Sequence, residues 1–404
     1  MVNTIDFGTD ARAMAAAAAL MSKHGVQRSH ALPILGTVKL TQDGDRLTLE
    51  ATDLRHAARL RVDGWGDGEA SAAVCVNAES LAGLAGKLTD VGKVALRFQG
   101  HADGAALSGR LRISGGTSGA DLPVLAAIDF PSVNWDSDAE SALTIDGGEL
   151  RRLLGVGGAA VAPEDNRPAL GGVRLAREGS ALRAMSADGF RAVWAETMAV
   201  HGLALGLVDE GLIIHRDSVK ALGAFAADGQ QVRLSRPIGQ TGGLIAESVD
   251  GAWALALALV NGAYPDIARV WPEGDKAEVT CDPASLRRAL GFMGAAQPSG
   301  VTPQVRVTVS SQDGVTLSTN ATPEWVAATT ALRAVLSPGF SGSAVTTLNT
   351  RLFGGLIDAL ASAGAEDVTI GILPDKPTYP VTIDCQVTDT LAASACLMPM
   401  HLAG

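Results

Sequence analysis

Aromatic residues are scarce in this chain, 4% of 404 positions, and there are only 7 histidines and 4 cysteines. With so few aromatics, any core must be assembled mainly from Ala, Val and Leu, although a hydrophobic fraction of 47% supplies ample material for one. The cysteines, Cys75, Cys281, Cys385 and Cys396, show no C-x-x-C spacing. That argues against a disulfide framework or a thiolate zinc site and fits a reducing cytoplasm. The histidines form no H-E-x-x-H or comparable ligand spacing, so neither a metal nor another cofactor is expected. Long apolar runs are missing too: the longest strongly apolar stretch, Trp253 to Val260, is far too short to span a bilayer. The Ala-rich run from Ala11 to Leu20 follows Asp6 and Asp10 instead of a basic segment, so it does not read as an export signal.

Signatures of catalysis are equally absent. Gly83-Leu-Ala-Gly-Lys87 approaches a phosphate-binding loop, but Leu88 stands where Ser or Thr is needed to reach a magnesium ion. Ser118 and Ser341 lie in Gly-rich stretches without the G-x-S-x-G elbow of an activated nucleophile. Pro338-Gly-Phe-Ser-Gly342 reads as a turn instead.

What is present is a long internal repeat. Asp10-Ala-Arg-Ala-Met14, Gly147-Gly-Glu-Leu150-Arg-Arg and Pro283-Ala-Ser-Leu286-Arg-Arg open three helix-like stretches, with Met14, Leu150 and Leu286 spaced 136 residues apart. A second helix-like segment follows in each unit: Glu79-Ser-Leu-Ala-Gly-Leu84, Asp217-Ser-Val-Lys-Ala-Leu222 and Thr350-Arg-Leu-Phe-Gly-Gly-Leu356. Ala51-Thr-Asp53-Leu-Arg55 matches Ser186-Ala-Asp188-Gly-Phe-Arg191 at a spacing of 135, and Thr319-Asn-Ala-Thr-Pro-Glu324 takes the place in the third unit without the Asp. Recurrence at the repeat spacing marks Asp53 and Asp188 as turn residues, not as a carboxylate pair, because a turn Asp accepts from nearby backbone N–H groups. Between the helices, Arg46–Glu50, Val305–Val309 and Val368–Ile372 alternate at period two, with Asp43-Gly44, Asp103-Gly104 and Asp313-Gly314 as turn signals. The period exceeds that of any solenoid, so three successive domains of one α+β fold are expected, 1–137, 138–272 and 273–404. Each would hold two helices packed on antiparallel sheets.

The net charge of −11 speaks against a nucleic-acid binder, but its distribution does not. Six helix-like windows, 11–25, 79–88, 148–162, 216–226, 283–295 and 350–362, hold ten basic and four acidic residues, so the rest of the chain carries −17. The basic residues are Arg12, Lys23, Lys87, Arg151, Arg152, Arg216, Lys220, Arg287, Arg288 and Arg351. Basic helices on an acidic body suit a protein that passes a polyanion along its helices. Basic residues also favour any exposed helix face, and that plainer explanation stays open.

The units carry a family likeness. Ala31-Leu-Pro-Ile-Leu-Gly36, Leu47-Thr-Leu-Glu-Ala-Thr-Asp-Leu54 and Asp129-Phe-Pro131 resemble the first domain of the bacterial DNA polymerase III β sliding clamp family. Arg167-Pro-Ala-Leu-Gly-Gly-Val173, Ala187-Asp-Gly-Phe-Arg191 and Tyr264-Pro-Asp-Ile-Ala-Arg-Val270 resemble its second domain, and Leu397-Met-Pro-Met-His-Leu402 its terminus. The resemblance implies a non-catalytic, cytoplasmic processivity factor that closes as a head-to-tail homodimer, a ring of six domains around duplex DNA. It implies DNA-facing roles for the basic residues above, Arg351 aside, and for Arg28. It implies as partners the polymerase III catalytic subunit, a clamp loader and other proteins carrying the clamp-binding motif. Their peptide would enter a pocket of Leu170, Ala187, Gly189, Phe190, Arg191, Ala192, Pro265, Arg269, Val270, Leu397, Met398, Pro399, Met400, His401 and Leu402. By residue pattern alone, Met398 and Met400 read sooner as core filler, a reading that the resemblance reverses.

Several positions depart from the family pattern. Ala192 replaces a larger aliphatic residue, Phe190 a His, and His401 an Arg; the chain continues through Ala403-Gly404. Asp217 and Glu164 bring negative charge near the expected DNA contacts, and Ala295 and Ala296 are small for a subunit contact. Two alternatives stay open: a clamp-fold paralogue with altered partners, and an α+β enzyme with a dispersed active site.

Overall fold

The structure, a computed structural model, describes residues 2–26, 32–66, 73–103, 106–138, 140, 142–163, 167–203, 206–239, 242–297, 300, 302–319 and 326–400. Among these residues the fold is α+β, with six α-helices and antiparallel strands throughout. The helices are α1 (Ala11–His24), α2 (Ala78–Gly86), α3 (Gly147–Gly157), α4 (Arg216–Phe225), α5 (Pro283–Ala295) and α6 (Thr350–Ala363). All six match the helix-like windows, with α2 and α3 starting one residue earlier and α6 ending one residue later. The third is shorter than its window, ending at Gly157, and Lys87 caps the end of α2 instead of lying within it.

The repeat has a physical basis at the helix starts. Met14, Leu150 and Leu286 are each the fourth residue of their helix and each fully buried, so one apolar side chain anchors the first turn every time. Asp10, Asn77 and Asn349 end a strand, Asp282 directly follows one, and all four cap the following helix through their side-chain oxygens. Each cap satisfies backbone N–H groups that the first turn leaves without a partner. The core is aliphatic as expected, with α1 burying Met14, Ala15, Ala17, Ala18 and Met21 along one face.

Contacts divide the chain into two compact units, residues 1–148 with 220–259 and residues 149–219 with 260–404. This partition differs from the sequence period. In the first unit one antiparallel sheet runs from the strand Leu143–Asp146 to the edge strand Trp65–Gly66. Its joint is the pairing of Trp253–Ala258 with His56–Asp63, strands distant in sequence. Helices α1 and α2 pack side by side in this unit, against that sheet.

The second unit holds a nine-stranded sheet from Leu212–His215 to Ala334–Leu336 and a four-stranded sheet from Thr329–Leu332 to Ser343–Asn349. Its joint pairs Arg191–Thr197 with Leu391–Leu397. Helices α5 and α6 pack together and are pinned by an ion pair between Arg287 and Asp358 at 2.6 Å.

Turn chemistry follows the sequence. Gly44 and Gly314 adopt positive φ at the hairpins signalled by Asp-Gly, while Gly104 lies outside the described residues. The Thr319 hydroxyl accepts from the Ala328 N–H at 2.9 Å.

Candidate functional site

At the joint of the second unit the chain builds a turn from Asp188 to Arg191. The Asp188 carboxylate accepts from the N–H groups of Phe190 at 2.9 Å and Arg191 at 3.0 Å, and Gly189 supplies the positive φ the turn needs. The other Asp188 oxygen takes the Arg191 guanidinium at 2.8 Å, and both side chains are largely buried. Arg191 also donates to the Leu352 carbonyl of α6 at 3.4 Å. Its charge is therefore committed to the scaffold and positions the turn.

The terminal segment docks on this turn. The Met398 N–H donates to the Phe190 carbonyl and the Met400 N–H to the Thr347 carbonyl, both at 2.8 Å. Those two N–H groups are thus already used within the chain. Phe190 (65% exposed), Met398 (42%) and Val270 (40%) present large apolar surfaces to solvent. A fully buried role as core filler does not fit Met398.

Beneath lies a buried apolar cluster. Leu170, Ala187 and Ala192 pack with Ala162, Met185, Ile267 and Cys396, and Trp194, Tyr264 and Trp271 close against them. The small Ala192 would be expected to leave room, but it is 3% exposed and part of this filled cluster. The open space adjoins instead: a cleft of about 440 Å³ lined by Trp194, Tyr264, Pro265, Ile267 and Trp271, with Arg174 and Arg183 at its polar side. Arg183 stacks over the Trp194 ring at 4.8 Å and pairs with Glu196 at 2.7 Å. The Trp271 indole N–H donates to Ser394 at 2.8 Å, which fixes that wall. Burial pushes the Tyr264 hydroxyl above its usual pKa and the Cys396 thiol up to about 12, so both are neutral at physiological pH.

The residues expected at the pocket therefore divide by place. Leu170, Ala187 and Ala192 are in the cluster; Gly189, Phe190 and Arg191 form the turn; Leu397 ends the paired strand. Pro399 is half-buried, Pro265 lines the cleft, and Arg269 is exposed and paired with Asp266 at 2.8 Å. His401 and Leu402 lie outside the described residues. The sequence reading missed Met185, Trp194, Ile267 and Trp271. One signal was available: two of only six tryptophans fall beside the matched motifs.

The basic residues sit mostly at helix surfaces. Arg12 and Lys23 on α1, Lys87 at the end of α2, Arg151 on α3, Lys220 on α4, Arg287 and Arg288 on α5 and Arg351 on α6 are exposed. Two are more engaged. The Arg216 guanidinium donates to the Ala162 carbonyl at 3.1 Å, and Arg152 lies 3.9 Å from the buried Glu149. Glu149 in turn accepts from the hydroxyls of Thr197 and Thr390 at 2.6 and 2.8 Å. Arg28 and Glu164 lie outside the described residues. Ala295 ends α5 and Ala296 caps it, next to Phe292, which is 57% exposed. Among the described residues no His, Cys, Asp or Glu group is arranged to hold a metal ion, and no helix is long and apolar enough to cross a membrane.

No family model matches the chain. Among known proteins, the β sliding clamp of Caulobacter vibrioides is 32% identical over 270 residues, 66% of this chain and 68% of that protein. The β sliding clamp of Vibrio cholerae is 29% identical over 262 residues, 64% of this chain and 66% of that one. Among solved structures, a C. crescentus β sliding clamp matches with a TM-score of 0.79 over 99% of this chain and 100% of that chain, at 24% identity.

Proposed function

The chain belongs to the β sliding clamp family, and from that premise we propose that it encircles duplex DNA as a homodimer and tethers the replicative polymerase to its template. The ring would comprise three domains per subunit, 1–137, 138–272 and 273–404, with helices toward the DNA and sheets outward. It is a non-catalytic subunit: its work is retention, which needs no reacting group. A closed C2 ring would stay on DNA by topology and not by affinity, so a chain of net charge −11 needs few tight phosphate contacts.

Arg12, Lys23, Arg28, Lys87, Arg151, Arg152, Arg216, Lys220, Arg287 and Arg288 would face the duplex and meet phosphates without reading sequence. Partner peptides with a Gln, aliphatic and aromatic pattern would dock on the second unit, over Phe190, Val270 and Met398 and toward the aromatic cleft. The polymerase III catalytic subunit, the clamp loader and other proteins carrying that motif would share this surface. A thioether at the rim suits several partners because Met repacks around different side chains.

The observation that carries this reading is the 32% identity to a β sliding clamp over 270 residues. Native mass spectrometry tests its assembly. The expected species has about twice the 41.2 kDa chain mass; a monomer at every concentration would contradict it.

A further inference from the structure

The polar side of the aromatic cleft is built around Arg174. This residue lies on the strand Gly172–Glu178, opposite Met185 of the strand Ala181–Ala187. Arg174 is half-buried, and its guanidinium donates to the Met185 sulfur at 3.8 Å. From the other side it rests against Gly211, where a Cβ would come within 2.7 Å of Nε. Gly211 has a φ of 78°, so its bare backbone both turns the chain and makes room for the guanidinium. A thioether is a weak acceptor, and a guanidinium offers five N–H donors. That sulfur is the one hydrogen-bond acceptor of Arg174 among the described residues, and no Asp or Glu among them pairs with it.

The other charges that line the cleft, among the described residues, are matched. Arg183 pairs with Glu178 at 3.5 Å and with Glu196 at 2.7 Å, and Asp266 pairs with Arg269 at 2.8 Å. Arg174 is therefore the cation without a carboxylate. It stands beside three aromatic side chains, Trp194, Tyr264 and Trp271, and its charge acts on the Tyr264 hydroxyl. In a chain that is 4% aromatic, such a wall is a concentrated apolar surface. The volume of about 440 Å³ admits a ring and one neighbouring side chain. A half-buried guanidinium has given up water without gaining a strong acceptor, so an incoming carboxylate would form a charge-assisted bond where little water competes. Met185, Trp194, Tyr264 and Trp271 also pack with Leu170, Ala187 and Ala192, so the cleft continues the surface assigned to partner peptides.

We propose that this cleft extends the peptide-docking surface and selects partner peptides in which an aromatic residue is followed directly by Glu or Asp. The ring enters among Trp194, Tyr264 and Trp271, and the carboxylate meets Arg174. The inference rests on the peptide-docking reading of the second unit and adds the identity of the residue after the aromatic anchor. A carboxylate matches the planar fork of a guanidinium, whereas an alkyl group would leave the Arg174 donors with the Met185 sulfur alone.

The test uses fluorescence anisotropy on the full chain with three probes, each labelled at its N-terminus and amidated at its C-terminus. They are Gln-Leu-Asp-Leu-Phe, Gln-Leu-Asp-Leu-Phe-Glu and Gln-Leu-Asp-Leu-Phe-Gln. The probe ending in Glu should bind about tenfold tighter than the one ending in Gln, the gain expected from a hydrogen bond between charged groups. The net charge of −11 would by itself favour the Gln ending, so general electrostatics does not imitate this result. Arg174→Met should bring the two affinities within about twofold of each other, because the charged bond is then gone. Arg174→Lys, which keeps the charge but not the fork, should restore part of the difference. Each readout is a ratio within one protein, and the unaltered chain alone decides the first of them, so a variant that fails to fold does not shelter the proposal. Equal binding of the Glu and Gln endings by the unaltered chain overturns it, and so does a preference that survives Arg174→Met. Where Gln-Leu-Asp-Leu-Phe binds and the ratio is one, the inference fails and the reading of the second unit stands; where none of the three binds, both fail.

Discussion

At the first joint the turn residue with positive φ is Leu54, and at the second it is Gly189. Behind the first turn His56 lies 3.2 Å from Asp53; behind the second a full guanidinium, Arg191, meets Asp188 at 2.8 Å. The backbone bonds are otherwise the same: each aspartate accepts from two backbone N–H groups, and the Ala258 N–H donates to the Arg55 carbonyl as the Met398 N–H does to the Phe190 carbonyl. The comparison teaches that the joint is a backbone device that the repeat reuses, while the exposed side chains on it decide what it can hold. An Asx turn plus one cross-strand N–H bond is enough to end one repeat against the next. Phe190 with Met398, or Arg55 with Ala258, is then free to vary.

The sharpest way to break the comparison is to remove each turn aspartate. Asp188→Ala leaves the buried Arg191 charge without its partner and should cost about 3–5 kcal/mol. Asp53→Ala removes the one oxygen that accepts from two backbone N–H groups but strands no buried guanidinium, and should cost about 1–2 kcal/mol. Urea denaturation of both variants checks this; equal losses would mean that the ion pair adds nothing to the second joint.

A smaller effect is expected from deleting Met398–Gly404. The first joint has no counterpart, because its chain continues from Ala258 onward. Loss of Met398 removes an exposed anchor and should reduce binding of the Gln-Leu-Asp-Leu-Phe peptide by at least about 2 kcal/mol. Calorimetric titration of the intact and truncated chains measures it, with native mass spectrometry to verify that the dimer persists. Unchanged affinity would move the peptide site elsewhere.

Much of this was legible in the chain and some was not. Helix positions were readable because Met14, Leu150 and Leu286 repeat one anchoring role at the fourth helical residue. The turns were readable because Asp53 and Asp188 carry their own hydrogen-bond acceptors. The sheet joints were not, since a bond such as Arg61 to the Gly251 carbonyl spans 190 residues and period-two alternation does not name a partner strand. The aromatic cleft escaped for the same reason: Trp194, Tyr264 and Trp271 come from separate segments that only the fold gathers. The filled surroundings of Ala192 were not legible either, because a small residue marks space only when no neighbour fills it.

The smallest contrast concerns Cys396, whose equivalent in the first joint is Ala256. Burial raises the folded thiol to about 12, above its unfolded value near 9. The folded state therefore holds this proton more tightly, and the associated stability is present below pH ~9 and lost as pH rises toward the folded value. Cys396→Ala should flatten the decline of stability between about pH 9 and 11 by roughly 2 kcal/mol, read from denaturation midpoints. The same slope in both proteins would show that the thiol does not titrate differently on folding.

The central claim is topological, and retention on DNA tests it most directly. After loading by a clamp-loader ATPase, the protein should stay on a nicked circular duplex through a high-salt wash and leave once the circle is cut to a linear form. Equal retention on circular and linear DNA would contradict encirclement, and salt-sensitive loss from both would reduce the protein to an ordinary electrostatic binder.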